Sequence, residues 1–480
     1  MKYEEFLERN KEEMIASLQS VLRCESEQSQ PVKTADGGVY PFGEGVQKAF
    51  ETFLALAESM GFETFNADNY GGHVDFPGTG DKIFGILGHL DVVPAAGGWD
   101  FDPYAASIAE GRIYGRGTTD DKGPMISCLY AMKALKDSGY VPKATIRLII
   151  GLDEETGWKG MDYYFSKAPK PDFGFTPDAD FPVINGEMGV LVFELARKFR
   201  DSQVKGLKLR SMKGGLAANS VADYCRVVIR NQKDEEAPYV KIREEITAFR
   251  EETGYRIHAK GVGKSLEITT EGIGAHGARP EAGLNAVSIM MQFLGRLNFV
   301  DEDHNDFIDF YNKYIGFCLD GTKLGIGFCD EPSGKLIFNV GMAEMNEKAG
   351  KLTINVRYPV TMTDDDVYDA MSDLLEKYNI GVLKLKHHEP IFVEADSPMV
   401  RMLVDIYRRH SGDTESVPKV IGGGTYARAA KNVIAYGALF PGDEDLMHQK
   451  NEYLSIERLE QMTKIYAEAI YKLSSGEYNS

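Results

Sequence analysis

Two apolar runs in this chain end on side chains that an apolar interior cannot hold alone. Ile83 to Leu87 leads into His89 and Asp91, and Arg147 to Leu152 leads into Asp153-Glu154-Glu155. Short apolar runs bounded in this way read as buried strands. Three consecutive acids at a strand end repel one another unless a cation sits among them. Asp120 follows Asp91 by 29 residues, inside GRGTTDDKG, where glycines let the backbone turn tightly. Histidine and carboxylates at the ends of core strands form the pattern a metal site needs. His89 offers an imidazole nitrogen, Asp91 is placed to hold that ring from behind, and Asp120 has two oxygens, enough to touch two ions. Taken singly, His-x-Asp is a weak signal, and Asp120-Asp121 fits a turn or a helix N-cap equally well. The signal sharpens because Asp178 in TPDADFP and His448 in PGDEDLMHQKNE supply further donors.

Strands at 83–88 and 144–151 alternate with helices at 3–22, 43–60 and 123–137, which predicts an α/β fold with a largely parallel sheet and ligands gathered at strand ends. Phe6, Met14, Leu18 and Leu22 form one helical stripe, and Val46, Phe50, Leu54 and Ala57 another; both are core-facing patterns. The turn-forming stretch between them reads as a long surface loop. After Val190 the texture changes to β-rich runs (VLVFEL, SLEITT, KLIFNVGM, KLTINVRY) with helices near 237–250, 284–297 and 364–377. That is an α+β insert. The acidic motifs vanish across it and return with His448, so the site-bearing domain is expected to be discontinuous, 1–189 plus 383–480, with 190–382 inserted. Its second part should hold a helix at 397–410, a strand from Val433 to Phe440 and a helix at 454–474. A chain of 480 residues is in any case too long for one core.

The net charge of −19, from 54 basic and 73 acidic residues, argues against nucleic acid or an anionic membrane as partner. The first residues, MKYEEFLERNKEEM, lack the apolar core of a signal peptide, and no apolar run approaches the roughly 20 residues that span a bilayer. Cys24, Cys128, Cys225, Cys318 and Cys329 are odd in number and form no CxxC, as expected of reduced thiols in a cytoplasmic protein.

The segments GHLDVVP, GRGTTDDKGP, DEETGWKG, TPDADFPV, AHGARPEAGLNA, GGGTYAR and MHQKNE, in this order from about residue 85 to 452, resemble the zinc aminopeptidase/aminoacylase/carboxypeptidase clan, and within it the PepV-type bacterial dipeptidases. The resemblance implies a zinc-exopeptidase-like catalytic domain with an inserted α+β lid. It implies two Zn2+, with Co2+ or Mn2+ as possible substitutes, one held by His89, Asp120 and Asp178 and the other by Asp120, Glu155 and His448; Asp180 is the rival for Asp178. It gives Glu154 the role of general base, Asp91 that of holding His89, and His276 that of stabilising the tetrahedral oxyanion. Asn219 and Arg357 match lid positions implicated in substrate binding, and Gly424 and Thr425 are further candidate substrate contacts. A guanidinium fork suits a peptide's C-terminal carboxylate, and the backbone N–H groups of Gly422 to Thr425 could cradle one too, or simply form a turn. The long insert resembles the double lid of members that act as monomers. The implied activity is hydrolysis of unblocked dipeptides. Alternatives are an N-acyl-amino-acid deacylase or carnosinase-like β-alanyl dipeptidase of the same clan, and a catalytically silent peptide- or metal-binding relative.

Overall fold

The computed structural model describes residues 2–35, 37–200, 203–233 and 235–477. The chain divides into two compact units, one of residues 1–186, 392–419 and 424–480, the other of residues 187–391 and 420–423.

The sheet of the first unit runs, in spatial order, Ile184–Glu187, Val433–Ala435, Phe173–Thr176, Ile83–His89, Thr145–Gly151, Gly72–Phe76 and Glu63–Asn66. The four strands from Val433–Ala435 to Thr145–Gly151 are mutually parallel. The flanks are antiparallel. On the outer side the reason is local: Glu63–Asn66 and Gly72–Phe76 are joined by a tight turn through Asp68 and Asn69 at positive φ (52° and 65°), and a hairpin can only be antiparallel. The helix Lys122–Asp137 is buried over nearly its whole length, because Lys2–Arg9, Lys11–Leu22 and Ile456–Ser475 all pack on it. Leu18, Leu22, Phe50, Ile86, Leu129, Ile150, Phe175 and Tyr466 share its core.

Three expectations are corrected here. The N-terminal helix is two helices, Lys2–Arg9 and Lys11–Leu22, because Asn10 (φ −92°, ψ 5°) leaves the helical path and closes the first through bonds to the Phe6 and Leu7 carbonyls. The run from Val433 to Phe440 is Val433–Ala435 followed by Ala438–Leu439, broken at Gly437 (φ 87°), where a Cβ would collide with Tyr466 and Phe181. The stretch between the early helices carries a short hairpin, Val32–Lys33 with Val39–Tyr40. Elsewhere the caps account for the observed ends. Ser397 and Ser455 accept N–H bonds from Val400 and Arg458 at the starts of Pro398–Ser411 and Ile456–Ser475, and Gly412 (φ 75°) stops the former.

The second unit is an eight-stranded antiparallel sheet, ordered Arg256–Val262, Ser265–Glu271, Tyr224–Asn231, Leu207–Gly214, Ile337–Asn346, Ala349–Tyr358, Gly189–Lys198 and Gly381–His388. Tyr224–Asn231 alternates buried and open residues, as a sheet with one covered face requires, and Ala286–Leu294 packs on it. The second boundary falls at 391/392 rather than 382/383, because Gly381–His388 pairs with Gly189–Lys198 along its length. Residues 420–423 also belong to this unit: the α-carbon of Gly422 faces Ile337, Ala278 and the Arg357 stem. Among the described residues no helix is long and apolar enough to cross a membrane.

Candidate active site

Parallel pairing brings the expected donors together. His89 stands opposite Gly151 in register, so the residues that follow each strand emerge at one sheet edge, and Phe173–Thr176, parallel to Ile83–His89 on its other side, delivers Asp178 to that edge. Asp120 arrives on the loop that precedes Lys122–Asp137, and His448 on the loop that follows Phe440.

Asp120 lies between two imidazoles. Its Oδ1 is 2.9 Å from His89 Nε2 and its Oδ2 is 2.9 Å from His448 Nε2. His448 Nε2 is also 3.1 Å from Glu155 Oε1, and His89 Nε2 is 3.6 Å from Asp178 Oδ2. His89 Nε2 and Asp120 Oδ1 are buried, and despite their 2.9 Å separation neither has an aligned hydrogen-bond partner among the described residues. Two lone-pair-bearing atoms that converge without pointing at each other fit a shared cation. Donor atoms of His89, Asp120 and Glu155 all fall within 4.8 Å of one another. The set is nitrogen and oxygen only, which suits zinc, cobalt or manganese.

His89 Nδ1 is 2.9 Å from the Asp91 backbone carbonyl and 3.4 Å from its carboxylate. Donation to the carbonyl fixes the tautomer that leaves the Nε2 lone pair facing Asp120. The Asp91 carboxylate accepts the N–H groups of Glu154 and Glu155, both at 3.1 Å, and so ties the acidic strand end to the histidine. The expected support from behind is therefore shared between the carbonyl and the carboxylate.

Electrostatics reflect a surplus of buried acid. Burial pushes the Glu154 carboxyl well up, His89 opposes this, and the neighbouring Asp178, Glu155 and Asp120 add to it. Burial and Asp120 also raise Glu155 and Asp178. Asp120 is held low: burial works against ionisation, but the hydrogen bond with His448 and the adjacent His89 imidazole outweigh it. His448 is pushed up to about 11 by Asp120 and Glu155. His89 is raised too, the nearby carboxylates of Asp120, Asp178 and Asp91 overcoming its burial. Such a cluster gathers protons where cations would otherwise bind.

Several supports were not singled out in the sequence. Asp121 accepts the His89 backbone N–H at 3.1 Å. Trp158, at φ 64°, donates its indole N–H to the Glu154 carbonyl at 2.9 Å. The Tyr426 ring stands edge-on to His89 with centroids 6.3 Å apart and lies 5.1 Å from Trp158. Glu452 holds the loop before Asp120 from within. Gly424 and Thr425 precede this tyrosine, and the Thr425 hydroxyl caps the short helix Tyr426–Ala429 through the Ala427 N–H. A cavity of about 560 Å3 opens from Glu155 and Thr156, walled by Val92, Pro94, Phe42 and Tyr70, within the usual range of small-molecule sites. In the second unit, Asn219 and His276 lie on adjoining loops: the Gly277 N–H bonds the Asn219 carbonyl at 2.7 Å, and the Ala278 N–H bonds His276 Nδ1 at 3.2 Å. Arg357 is on the buried strand Ala349–Tyr358, opposite Ile337. Four of the six histidines without an assigned role have structural partners: His73 bonds Tyr164, His304 the Asn346 carbonyl, His387 Tyr358 and His410 Glu468.

Comparison with known proteins agrees with this geometry. The sequence profile of Peptidase family M20/M25/M40 matches residues 85–472, which contain every donor named above. The chain belongs to this family. It is therefore a hydrolase of the metallopeptidase class, with a catalytic domain and an inserted α+β lid. A relative from Bacillus subtilis (strain 168), named "Putative dipeptidase YtjP", is 37% identical over 479 residues, covering 99% of this chain and 100% of the relative. Among solved structures, an M20 family metallo-carboxypeptidase, Sso-CP2 from Sulfolobus solfataricus, is similar with a TM-score of 0.55 and 16% identity over 96% of this chain and 98% of its own. Aminoacylhistidine dipeptidase from Vibrio alginolyticus gives 0.55 and 14% over 95% and 96%.

Proposed function

We propose that this M20-family member is a dipeptidase with two zinc ions, one held by His89, Asp120 and Asp178, the other by Asp120, Glu155 and His448. The observation that carries the reading is Asp120, whose two oxygens each face a different imidazole at 2.9 Å. When bound, the ions supply Lewis acidity toward the amide carbonyl and a water of near-neutral pKa. The rest falls to the chain's own groups. Asp91 keeps the His89 ring in its tautomer and the Glu154–Glu155 backbone in place. Glu154, one residue from a ligand and directed differently along an extended segment, takes the proton of the attacking water on its carboxylate and returns it to the leaving amine nitrogen. The charge of bound dications would offset the surrounding carboxylates and leave Glu154 ionised for that task. In the second unit, His276 serves the developing oxyanion, and Asn219 and Arg357 the substrate, as their motifs imply; Gly424 and Thr425 offer N–H groups to a carboxylate.

The choice of a free dipeptide as substrate is supported by the name of the Bacillus subtilis relative, which is aligned over nearly all of this chain. We place the protein in the cytoplasm as a monomer, a reading supported by thiols that form no disulfide among the described residues and by the long insert. The test is a substrate panel on zinc-, cobalt- and manganese-reconstituted protein, comparing free dipeptides, β-alanyl dipeptides and N-acetyl amino acids. Chelator-sensitive hydrolysis of free α-dipeptides is expected. Preference for N-acetyl amino acids would make the protein a deacylase, and absence of turnover on all three would make it a silent relative.

A further inference from the structure

We propose that Glu452 is a positioning residue that sets the spacing between Asp120 and His448, and through it the affinity for the ion those two would share. The inference rests on the two-ion reading above. The Glu452 carboxylate is fully buried, and it is surrounded by donors from one short segment. Its Oε2 accepts from Arg116 Nη1 at 2.7 Å and from the Gly117 N–H at 3.2 Å. Its Oε1 accepts from the Thr119 N–H at 2.9 Å, the Thr118 hydroxyl at 3.3 Å and the Asp120 N–H at 3.4 Å. Gly117, at φ 88°, lets successive N–H groups turn toward one anion, and the anion they find is this side chain. The attachment is reciprocal: the Gly115 N–H bonds the Glu452 carbonyl at 3.0 Å, and Arg112–Tyr114 pairs with Tyr453–Ser455.

The need for such a clamp lies in the loop that carries His448. Residues 441–451 are open or half-open, the His448 side chain is 54% exposed, and its backbone is left-handed at φ 62°. No apolar packing fixes a residue so placed. The loop is instead held by polar bonds: two from Arg458 to Asp443 (2.7 and 2.9 Å), two between Asn451 and Asp100 (2.8 Å each), and those of Glu452. Glu452 is also where this loop meets the one bearing Asp120. A group that bonds the Asp120 N–H and lies four residues past His448 holds both sides of one ligand pair.

The test is metal binding to the chelator-stripped full chain, followed by competition with a chromogenic chelator, so the readout is affinity and stoichiometry rather than turnover. Wild type is expected to bind two zinc ions. Glu452→Gln, nearly the same shape without the charge, should weaken one of the two binding steps ~10–100-fold, the scale seen when groups that orient metal ligands are lost, and leave the other unchanged. Glu452→Asp, which keeps the charge on a shorter stem, should recover part of that loss and serves as the readout if the Gln variant does not fold. Glu468→Gln is the control: its buried carboxylate bonds Arg409 and His410 on the same unit, and its loss should lower the melting temperature without altering either step. Two unchanged steps in Glu452→Gln, or an equal loss in Glu468→Gln, would overturn the inference alone. A wild type that binds a single ion would overturn the two-ion reading as well.

Discussion

The carboxylate of Asp91 can be tested separately from its backbone. It is 1% exposed and accepts two N–H groups, from Glu154 and Glu155, at 3.1 Å each. Asp91→Ala strands both donors in a buried place, at about 1–3 kcal/mol apiece and so about 2–6 kcal/mol in all. Asp91→Asn is the cleaner perturbation. Its amide oxygen can still accept one N–H while its NH2 faces the other, so a single bond is lost, about 1–3 kcal/mol. The carbonyl that holds His89 Nδ1 at 2.9 Å is untouched by either change. Ring orientation therefore survives, and zinc affinity in Asp91→Asn should fall toward the low end of the ~10–100-fold range for lost ligand support. Urea unfolding of the metal-free protein reads the first quantity and chelator competition the second. A variant within about 0.5 kcal/mol of wild type, the scatter of neutral surface changes, and with unaltered zinc affinity would refute the role given to the carboxylate.

Glu154→Gln should keep both ions and lose ~10²–10⁴-fold in kcat, the range for a missing general base; wild-type turnover in this variant, measured on a dipeptide, would remove the assignment. Gly151→Ala would drive a methyl group into the Tyr426 ring and hydroxyl, for about 1–3 kcal/mol of overpacking. Tyr426→Leu in the same chain should return part of that, and an additive double-mutant cycle would disprove the contact. His73 gives a pH prediction away from the metal site. Burial lowers it from 6.5 to about 4, with Asp75 opposing and Arg147 assisting. The folded form thus binds fewer protons than the unfolded chain between those values, so its contribution is intact above pH 6.5 and is lost as pH falls toward 4. The loss amounts to about 3 kcal/mol at 1.36 kcal/mol per unit. The difference in unfolding free energy between wild type and His73→Gln should therefore slope across pH 4–6.5 and be flat above it; a flat difference throughout would contradict the reading.

How much of the fold could be read depended on burial. Ile83–His89 and Thr145–Gly151 are enclosed on both faces, so their sequences are continuous apolar runs with abrupt ends, and both were legible nearly to the residue. Leu207–Gly214, LKLRSMKG, was not, because Arg210, Ser211 and Lys213 are open while Lys208 is buried, so its charged residues break the period-two signal. Gly381–His388 misled for the same reason in stronger form. It is an edge strand exposed along nearly its whole length, and GVLKLKHH carries no sign of which neighbour it pairs with. A boundary near 383 falls inside this strand, since only the pairing with Gly189–Lys198 assigns it to the inserted unit.

The site divides along a different line. His89, Asp120, Glu155, Asp178 and His448 could be proposed from the sequence because cation binding would restrict residue type: nitrogen and oxygen donors at strand ends have few other reasons to recur. What holds them is under no such restriction. A buried glutamate that accepts from Gly117, Thr119 and Asp120 looks, in the sequence, like one more acid in an acid-rich loop, because its donors lie more than 330 residues away. The Trp158 indole and the Tyr426 ring read as ordinary core aromatics, and only folding brings the one to the Glu154 carbonyl and the other to the edge of His89. Donors are thus set by chemistry and can be found by type, whereas supports are set by geometry and can be found only by following each backbone N–H to its acceptor. Followed that way, the N–H groups of His89, Glu154, Glu155 and Asp120 lead to Asp121, Asp91 and Glu452, three carboxylates that bind the peptide backbone around the candidate metal site. A single charge removed from any of these three should therefore cost metal affinity before it costs the fold.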